Sequence, residues 1–174
     1  MIIVLYLSKY GNTLQYASWI ADALNAELRP FTKFRKSEIS NYDTIIFGTG
    51  VYIGKMNGLS KALKMFSKKP SIIFACGGNS GVEEEVKKIT DHNFTSNSLL
   101  LHKFFYLPGG LDFNKVKGIM KFFLSIGKNS LLKKPDKTQE EIEFLNGFIN
   151  PTNYVDELHI QPIVDYVRSM KYRH

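Results

Sequence analysis

The sequence predicts an α/β domain whose five-stranded parallel sheet is covered by helices on both faces. Short, nearly continuous apolar runs bounded by Gly, Asn or Ser recur along the chain, as expected of strands buried on both faces. Between them lie segments whose apolar residues repeat at three- and four-residue steps, which is the pattern of helices that cover a sheet. Their alternation indicates right-handed βαβ units and therefore a parallel, doubly wound sheet.

Each strand is predicted from one apolar run. Four runs of this kind occupy residues 2–7, 44–47, 71–76 and 99–106. A weaker run at residues 26–31 contains Pro30, which cannot donate to a strand ladder, so we place this strand nearer the edge of the sheet.

The helices are predicted from apolar stripes and from their start signals. The two early stripes are Leu14, Ala17, Ala21 and Leu24, and then Val82, Val86 and Ile89. The final helix is expected to begin near His159, with Pro162 in its first turn. Residues 107–150 are too long for an ordinary connection, so we predict an insertion there within one domain spanning residues 1–174. Thr138 and Glu141, at capping-box spacing, predict a helix inside this insertion.

The composition limits the class of protein. A chain of 174 residues suffices for one domain with its own core. The single cysteine, Cys76, excludes an intramolecular disulfide and favours a cytoplasmic location. No apolar stretch reaches the roughly 20 residues that cross a bilayer, and the histidines lack metal-ligand spacing. The net charge of +7 predicts attraction to an anionic molecule or surface.

A candidate phosphate-binding loop directly follows the first predicted strand. It consists of Ser8, Lys9, Tyr10, Gly11, Asn12 and Thr13. Gly11 permits a tight turn, and the polar side chains supply donors beside the positive end of the following helix. The loop therefore suits a phosphate group. The alternative is that Ser8, Asn12 and Thr13 only cap the helix.

Two further glycine-rich segments follow the third and fourth predicted strands. Their candidate binding residues are Thr49, Gly50, Val51, Tyr52, Ile53 and Gly54, and then Gly77, Gly78, Asn79, Ser80 and Gly81. Ligands of open α/β sheets bind outside the carboxyl ends of the strands, so the three segments predict one shared site. Glycines there let backbone amides approach a planar ring. The alternative is three ordinary turns between strands and helices.

The loop at residues 8–13 and the run at residues 42–48, which enters the second loop, resemble a flavodoxin. The likeness covers most of residues 1–106. It implies strand order 2-1-3-4-5 and FMN as the cofactor, with the phosphate on residues 8–13. It also implies that the isoalloxazine ring lies between residues 49–54 and 77–81. Tyr10 departs from the family pattern, in which a threonine is common.

Two other features differ from an electron-carrying flavodoxin. Such carriers typically hold the ring between two aromatic side chains and have an acidic surface. Here Tyr52 is the only aromatic residue of the two ring loops, and the chain is basic. We therefore predict that one face of the flavin is open to a substrate or quinone. The alternative for Tyr52 is an aromatic side chain packed on the sheet.

A basic amphipathic helix is predicted within residues 113–134 of the insertion. Lys117, Lys121 and Lys128 fall in a narrow arc, whereas the apolar residues spread over nearly half the circumference. This pattern suits peripheral contact with an anionic membrane, at its inner face. The alternative is a helix that buries its apolar arc in the protein and keeps solvated lysines outside.

The layout as a whole, with a basic insertion before the last helix, resembles the bacterial flavodoxin-type, menaquinone-dependent protoporphyrinogen oxidases. The run at residues 105–110 is similar to one in that family. The resemblance implies an FMN-dependent oxidoreductase of haem biosynthesis that passes electrons from protoporphyrinogen IX to a quinone. One alternative is an electron carrier that serves redox-protein acceptors. Another is a basic module for nucleic acid or lipid, although we expect no nucleic-acid partner.

Overall fold

The computed structural model of the chain describes residues 1–66, 69–78, 80–113, 116 and 118–171. The strands are β1 (Ile2–Leu7), β2 (Glu27–Pro30), β3 (Thr44–Tyr52), β4 (Lys55–Met56), β5 (Ser71–Gly77), β6 (His102–Pro108), β7 (Gly110–Leu111) and β8 (Thr152–Asn153). The α-helices are α1 (Asn12–Leu24), α2 (Leu59–Phe66), α3 (Glu83–Asn93), α4 (Ser96–Leu101), α5 (Ile119–Lys133), α6 (Gln139–Asn146) and α7 (Gln161–Lys171). Short 3-10 helices lie at Phe31–Lys33, Lys36–Asn41 and Glu157–Ile160.

The main sheet has the predicted parallel order. Its strands run β2-β1-β3-β5-β6, where β5 and β6 are the fourth and fifth strands expected from the sequence. All four pairings along this path are parallel, and β4 adds an antiparallel partner to the end of β3. Pro30 ends the edge strand β2, whose outer side pairs with none of the described strands, so its missing N–H group is tolerated there.

Each face of the sheet carries its own core. On β1, Ile3 and Leu5 pack on one face with buried residues of α2 and α3. Val4 points to the other face, where it packs with buried residues of α1 and α7. This alternation follows from the two-residue period of a strand and places one pair of helices on each face. The predicted doubly wound arrangement is confirmed.

Several predicted boundaries are wrong, each for a local reason. Leu99 to Leu101 were predicted to begin the last strand but end α4, which Thr95 caps by accepting a hydrogen bond from Ser98 N at 3.3 Å. Residues 49–52 were predicted as loop but extend β3, because β5 pairs with residues 49–50 and β4 pairs with residues 51–52. Helix α2 was not predicted at all, although its buried residues Leu59, Ala62 and Phe66 have helical spacing.

The chain divides into two compact units. One comprises residues 1–109 with the chain from residue 154 onward, and the other comprises Gly110–Asn153. Within the second unit β7 pairs with β8, and Phe113 stacks on Phe148 with ring centroids 3.5 Å apart. Helix α6 has the predicted capping box, in which Thr138 N donates to Glu141 Oε2 at 2.8 Å and Glu141 N donates to Thr138 Oγ1 at 3.3 Å.

The end of the chain also follows the prediction. A 3-10 turn at Glu157–Ile160 leads into α7, and Pro162 lies in the first helical turn. Ile163, Val164 and Val167 form the buried stripe of this helix. Among the described residues, none of the helices has both the length and the apolarity to cross a bilayer.

Candidate functional site

The three predicted loop segments meet at one edge of the sheet. They follow or complete β1, β3 and β5, which are neighbouring parallel strands, so their carboxyl ends lie side by side. The register pairs Leu7 with Thr49 and Gly50 with Cys76. The structure thus brings the candidate residues together, except for Asn79, which lies outside the described residues. Gly78 and Ser80 on either side of it are exposed.

The loop at residues 8–13 presents the start of α1 to a ligand. Gly11 is the N-cap of this helix at φ 104°, and as a glycine it has no side chain to make the N-cap hydrogen bond. Instead, Gly11 N donates to Ser8 Oγ at 3.2 Å. A helix N-terminus without a side-chain cap keeps its positive dipole end directed at a bound anion. This geometry fits a phosphate.

Tyr10 adds a hydroxyl donor to this loop. Its hydroxyl group is buried and has no hydrogen-bond partner within the described part of the chain. Buried polar groups in native proteins normally have a partner, so an unpaired one beside an anion-binding loop suits a ligand that completes it. Tyr10 can therefore supply a hydroxyl at the position where a threonine is common in the resembled family.

Thr13 lies deeper than the rest of the loop. Its side chain is only 4% exposed and shares a hydrogen bond with the thiol of Cys76. Burial raises the pKa of Cys76 to about 12, and the Thr13 hydroxyl acts in the opposite direction. At neutral pH Cys76 is thus a protonated, buried thiol, with the packing role of a small apolar residue.

The second segment forms the end of the first strand and the turn of a β-hairpin. Val51 pairs with Met56 and Tyr52 with Lys55, and Ile53 and Gly54 form the two-residue connection. The ring of Tyr52 meets that of Tyr10 edge to face, with centroids 5.9 Å apart. Burial raises the pKa of Tyr52 to about 12, against a smaller opposing effect of a hydrogen bond from the Lys9 backbone. The hairpin is thereby joined to the phosphate loop.

The third segment is lined by a tyrosine that sequence reasoning missed. A Cβ atom at Gly77 would collide with the hydroxyl of Tyr106, and one at Gly81 would lie 3.0 Å from its ring. Tyr106 stands on β6, so its ring reaches across to the segment that follows β5. The alternation of side chains along the predicted fifth strand was the only signal for this contact, and it did not specify the partner.

Tyr16 anchors the backbone near this segment. Its hydroxyl donates to Pro108 O at 2.5 Å, accepts from Asp156 N at 3.3 Å and lies 3.0 Å from His159 Nδ1. Complete burial of the side chain accompanies a pKa raised to about 12, chiefly by desolvation. Gly109, which follows Pro108 in the chain, donates its N–H to Gly77 O at 2.7 Å. Helix α1 therefore helps to hold the chain that borders the third segment.

Comparison with known proteins identifies the family of the chain. A sequence profile of the flavodoxin domain matches residues 3–147. An uncharacterized protein of Methanocaldococcus jannaschii is 32% identical over 131 residues, which cover 73% of this chain and 85% of that protein. The chain belongs to the flavodoxin family. Its cofactor is FMN, and it works in FMN-linked redox chemistry or electron transfer.

Solved flavodoxins are among the structures to which the chain is similar. Oxidised flavodoxin 2 of Bacillus cereus is similar with a TM-score of 0.42 and 15% identity, covering 85% of this chain and 94% of that one. A flavodoxin of Streptococcus pneumoniae is similar with a TM-score of 0.43 and 15% identity, covering 84% of this chain and 93% of that one.

The residues of this flavodoxin-family chain fit FMN. The helix without a side-chain cap and the unpaired Tyr10 hydroxyl suit a terminal phosphate. Residues 49–54 and 77–81 remain the predicted neighbours of the ring. When bound, FMN supplies reversible two-electron chemistry, while the protein binds it, orients it and tunes its potential.

Proposed function

We propose that this flavodoxin-family protein is an FMN-dependent oxidoreductase that oxidises protoporphyrinogen IX and passes the electrons to a quinone. The charge of the site is the observation that carries the proposal. Residues 8–13, 49–58 and 77–82 contain two charged side chains, those of Lys9 and Lys55, and both are positive and exposed. The next acidic run along the chain, residues 83–85, forms the first turn of α3, where its negative charges interact favourably with the positive end of the helix dipole. Such a site attracts a substrate that carries carboxylates, as a porphyrinogen does.

A cluster of two tyrosines and a lysine supports the same substrate class. Lys9 Nζ lies 5.2 Å from the ring centroid of Tyr10 and 5.7 Å from that of Tyr52. The two partly buried rings provide apolar surface, and the exposed ammonium group can turn toward a carboxylate because an exposed cation is held only weakly over a ring. A large cyclic molecule with acidic side groups matches this combination of ring surface and positive charge.

The outer face of α5 supports a lipid-borne acceptor. Phe122 is 63% exposed and Ile126 is 50% exposed, and Lys121 and Lys133 on the same helix are exposed as well. Exposed apolar side chains beside lysines are typical of a helix that rests on anionic lipid. We therefore include peripheral contact between this face and an anionic membrane in the proposal.

The other two lysines of the predicted basic arc give less support to membrane contact. Lys128 is half-buried, and its Nζ lies 4.8 Å from the ring centroid of Phe148, so its charge is directed into its own unit. Lys117 lies outside the described residues.

Sedimentation with anionic vesicles tests the membrane contact. We expect the protein to co-sediment and to be released by salt, because each lysine near such a surface contributes about 1 kcal/mol. The variant Phe122→Ser with Lys133→Ser should lose most of this binding, whereas Lys128→Ser, a matched control on the same helix, should retain it. Equal sedimentation of the wild type and the double variant would contradict the contact.

Anaerobic mixing of the FMN-loaded protein with protoporphyrinogen tests the reaction. We expect the substrate to bleach the absorbance of the oxidised flavin, and a menaquinone analogue to restore it. The rate of bleaching should fall as salt rises and fall further in Lys9→Ser, because the attraction between opposite charges is screened or removed. If a chemical reductant bleaches the flavin and protoporphyrinogen does not, an electron carrier between redox proteins is the better assignment.

A further inference from the structure

The tip of the β3–β4 hairpin has a backbone conformation that its sequence does not favour. Ile53 and Gly54 form the two-residue turn, with φ angles of 51° and 72°. Both positive values match a hairpin turn that favours Asn-Gly or Gly-Gly, whereas a β-branched isoleucine is strongly disfavoured there. The Ile53 side chain is 72% exposed, so core packing does not hold it in place. Contacts of the neighbouring backbone must keep this tip in position.

Asn93, the last residue of α3, supplies those contacts from outside the three loops. Its Nδ2 donates to Gly54 O at 2.6 Å and to Ile89 O at 2.8 Å. Its Oδ1 accepts from Met56 N at 2.8 Å. The amide has one favourable orientation, because the opposite one would place its oxygen against two carbonyls and its NH₂ group against an N–H. Both the NH₂ group and the oxygen of the Asn93 amide therefore have a suitable hydrogen-bond partner in this hairpin.

The base of the hairpin is closed without Asn93. Thr49 Oγ1 donates to Asn57 O at 2.5 Å, and Asn57 N donates to Gly50 O at 3.0 Å. Thr49 is completely buried, so this closure belongs to the core end of the hairpin. Loss of Asn93 should release the tip while leaving the base of the hairpin closed.

We propose that Asn93 is a positioning residue for FMN, which fixes the carbonyl of Gly54 and the hairpin tip beside the flavin ring. By holding these backbone dipoles, Asn93 sets the affinity for FMN and its reduction potential, since polar groups near the ring tune its electronics. The proposal rests on residues 49–54 as a ring loop and is independent of the substrate.

Two substitutions at this position separate the hydrogen bonds from the shape of the side chain. Asn93→Asp keeps an acceptor for Met56 N but turns a carboxylate oxygen toward Gly54 O and Ile89 O. We expect FMN to bind about tenfold more weakly at neutral pH. Affinity should recover, relative to the wild type, at a pH that protonates the new carboxyl, because the acid can then donate to Gly54 O. Asn93→Leu should weaken binding similarly, without this recovery.

The matched control is Asn97→Asp, the same chemical change at an exposed position of α4. It should leave FMN affinity and the midpoint potential at saturating FMN unchanged, whereas both Asn93 variants should shift that potential. Wild-type affinity and potential in both variants would overturn the proposal, as would a loss of stability with no shift in potential at saturation. Should one variant fail to fold, the other supplies both readouts. All measurements use FMN alone, so failure to oxidise protoporphyrinogen would not affect the outcome.

Discussion

Tyr10 and Tyr16 offer a matched pair of buried phenols that should separate cofactor binding from stability. The Tyr10 hydroxyl has no partner among the described residues, whereas that of Tyr16 donates to Pro108 O and accepts from Asp156 N. Changing each tyrosine to phenylalanine removes one oxygen atom and nearly preserves the side-chain volume. Any difference between the two variants therefore reports what each hydroxyl contacts.

The structure gives the expected magnitudes. Tyr16→Phe leaves a carbonyl and an N–H group unpaired, so it should lower the free energy of unfolding by about 2 kcal/mol, the middle of the range for a lost buried partner. For a chain of this length, that is a fall in Tm of roughly 4–8 °C. Tyr10→Phe breaks no bond in the described structure, so stability without FMN should change by less than about 0.5 kcal/mol. It should weaken FMN binding by about 1.5 to 3 kcal/mol, the value of a hydrogen bond to a charged group.

Urea denaturation without FMN measures the stability of each variant, and titration of flavin fluorescence measures the affinity. We expect opposite effects in the two variants. Tyr16→Phe should lose stability with little change in the intrinsic affinity of the folded protein for FMN. Tyr10→Phe should lose affinity for FMN with little change in stability. Wild-type affinity in Tyr10→Phe would show that its hydroxyl does not contact the phosphate. Wild-type stability in Tyr16→Phe would refute the assigned hydrogen-bond network.

Three further outcomes can be measured on the same preparations. Burial lowers the pKa of His102, which lies 2.7 Å from Ser71 Oγ through its Nδ1. The unfolded chain thus binds the proton more readily, so urea midpoints should fall as pH drops below about 6.5, and this dependence should weaken in His102→Gln. Gly11→Ala should lower the free energy of unfolding by about 1–2 kcal/mol and weaken FMN binding, because φ is 104°, although there is open space for a methyl group. Wild-type stability and affinity in this variant would contradict the argument from backbone strain. Gly48→Ala should cost about 1–3 kcal/mol because its Cβ would overlap the Phe74 ring, and adding Phe74→Leu should recover part of the loss in a double-mutant cycle.

Sequence patterns alone sufficed for the parallel sheet and for the edge where the loops converge, and the resemblance to a flavodoxin supplied the strand order. The sheet and its edge follow from the nearly continuous apolar runs of the strands, the apolar stripes of the helices between them and the handedness of βαβ units, all of which are local rules. Gly11 and the glycine-rich segments were also recognisable, because tight turns and close backbone approach limit the residue types that can stand there.

Tertiary structure alone decided which side chains surround that edge. Tyr106 reaches the third segment from another strand, and Asn93 holds the β3–β4 hairpin from the end of α3, although neither lies in a recognisable motif. The burial of Thr13 against Cys76 likewise depends on how α1 packs over the sheet. Such contacts join residues far apart in the chain, and a hydrogen bond requires matched positions within a few tenths of an ångström. No periodicity or spacing in one sequence encodes a match of that kind, so it emerges only when the helices and strands have packed.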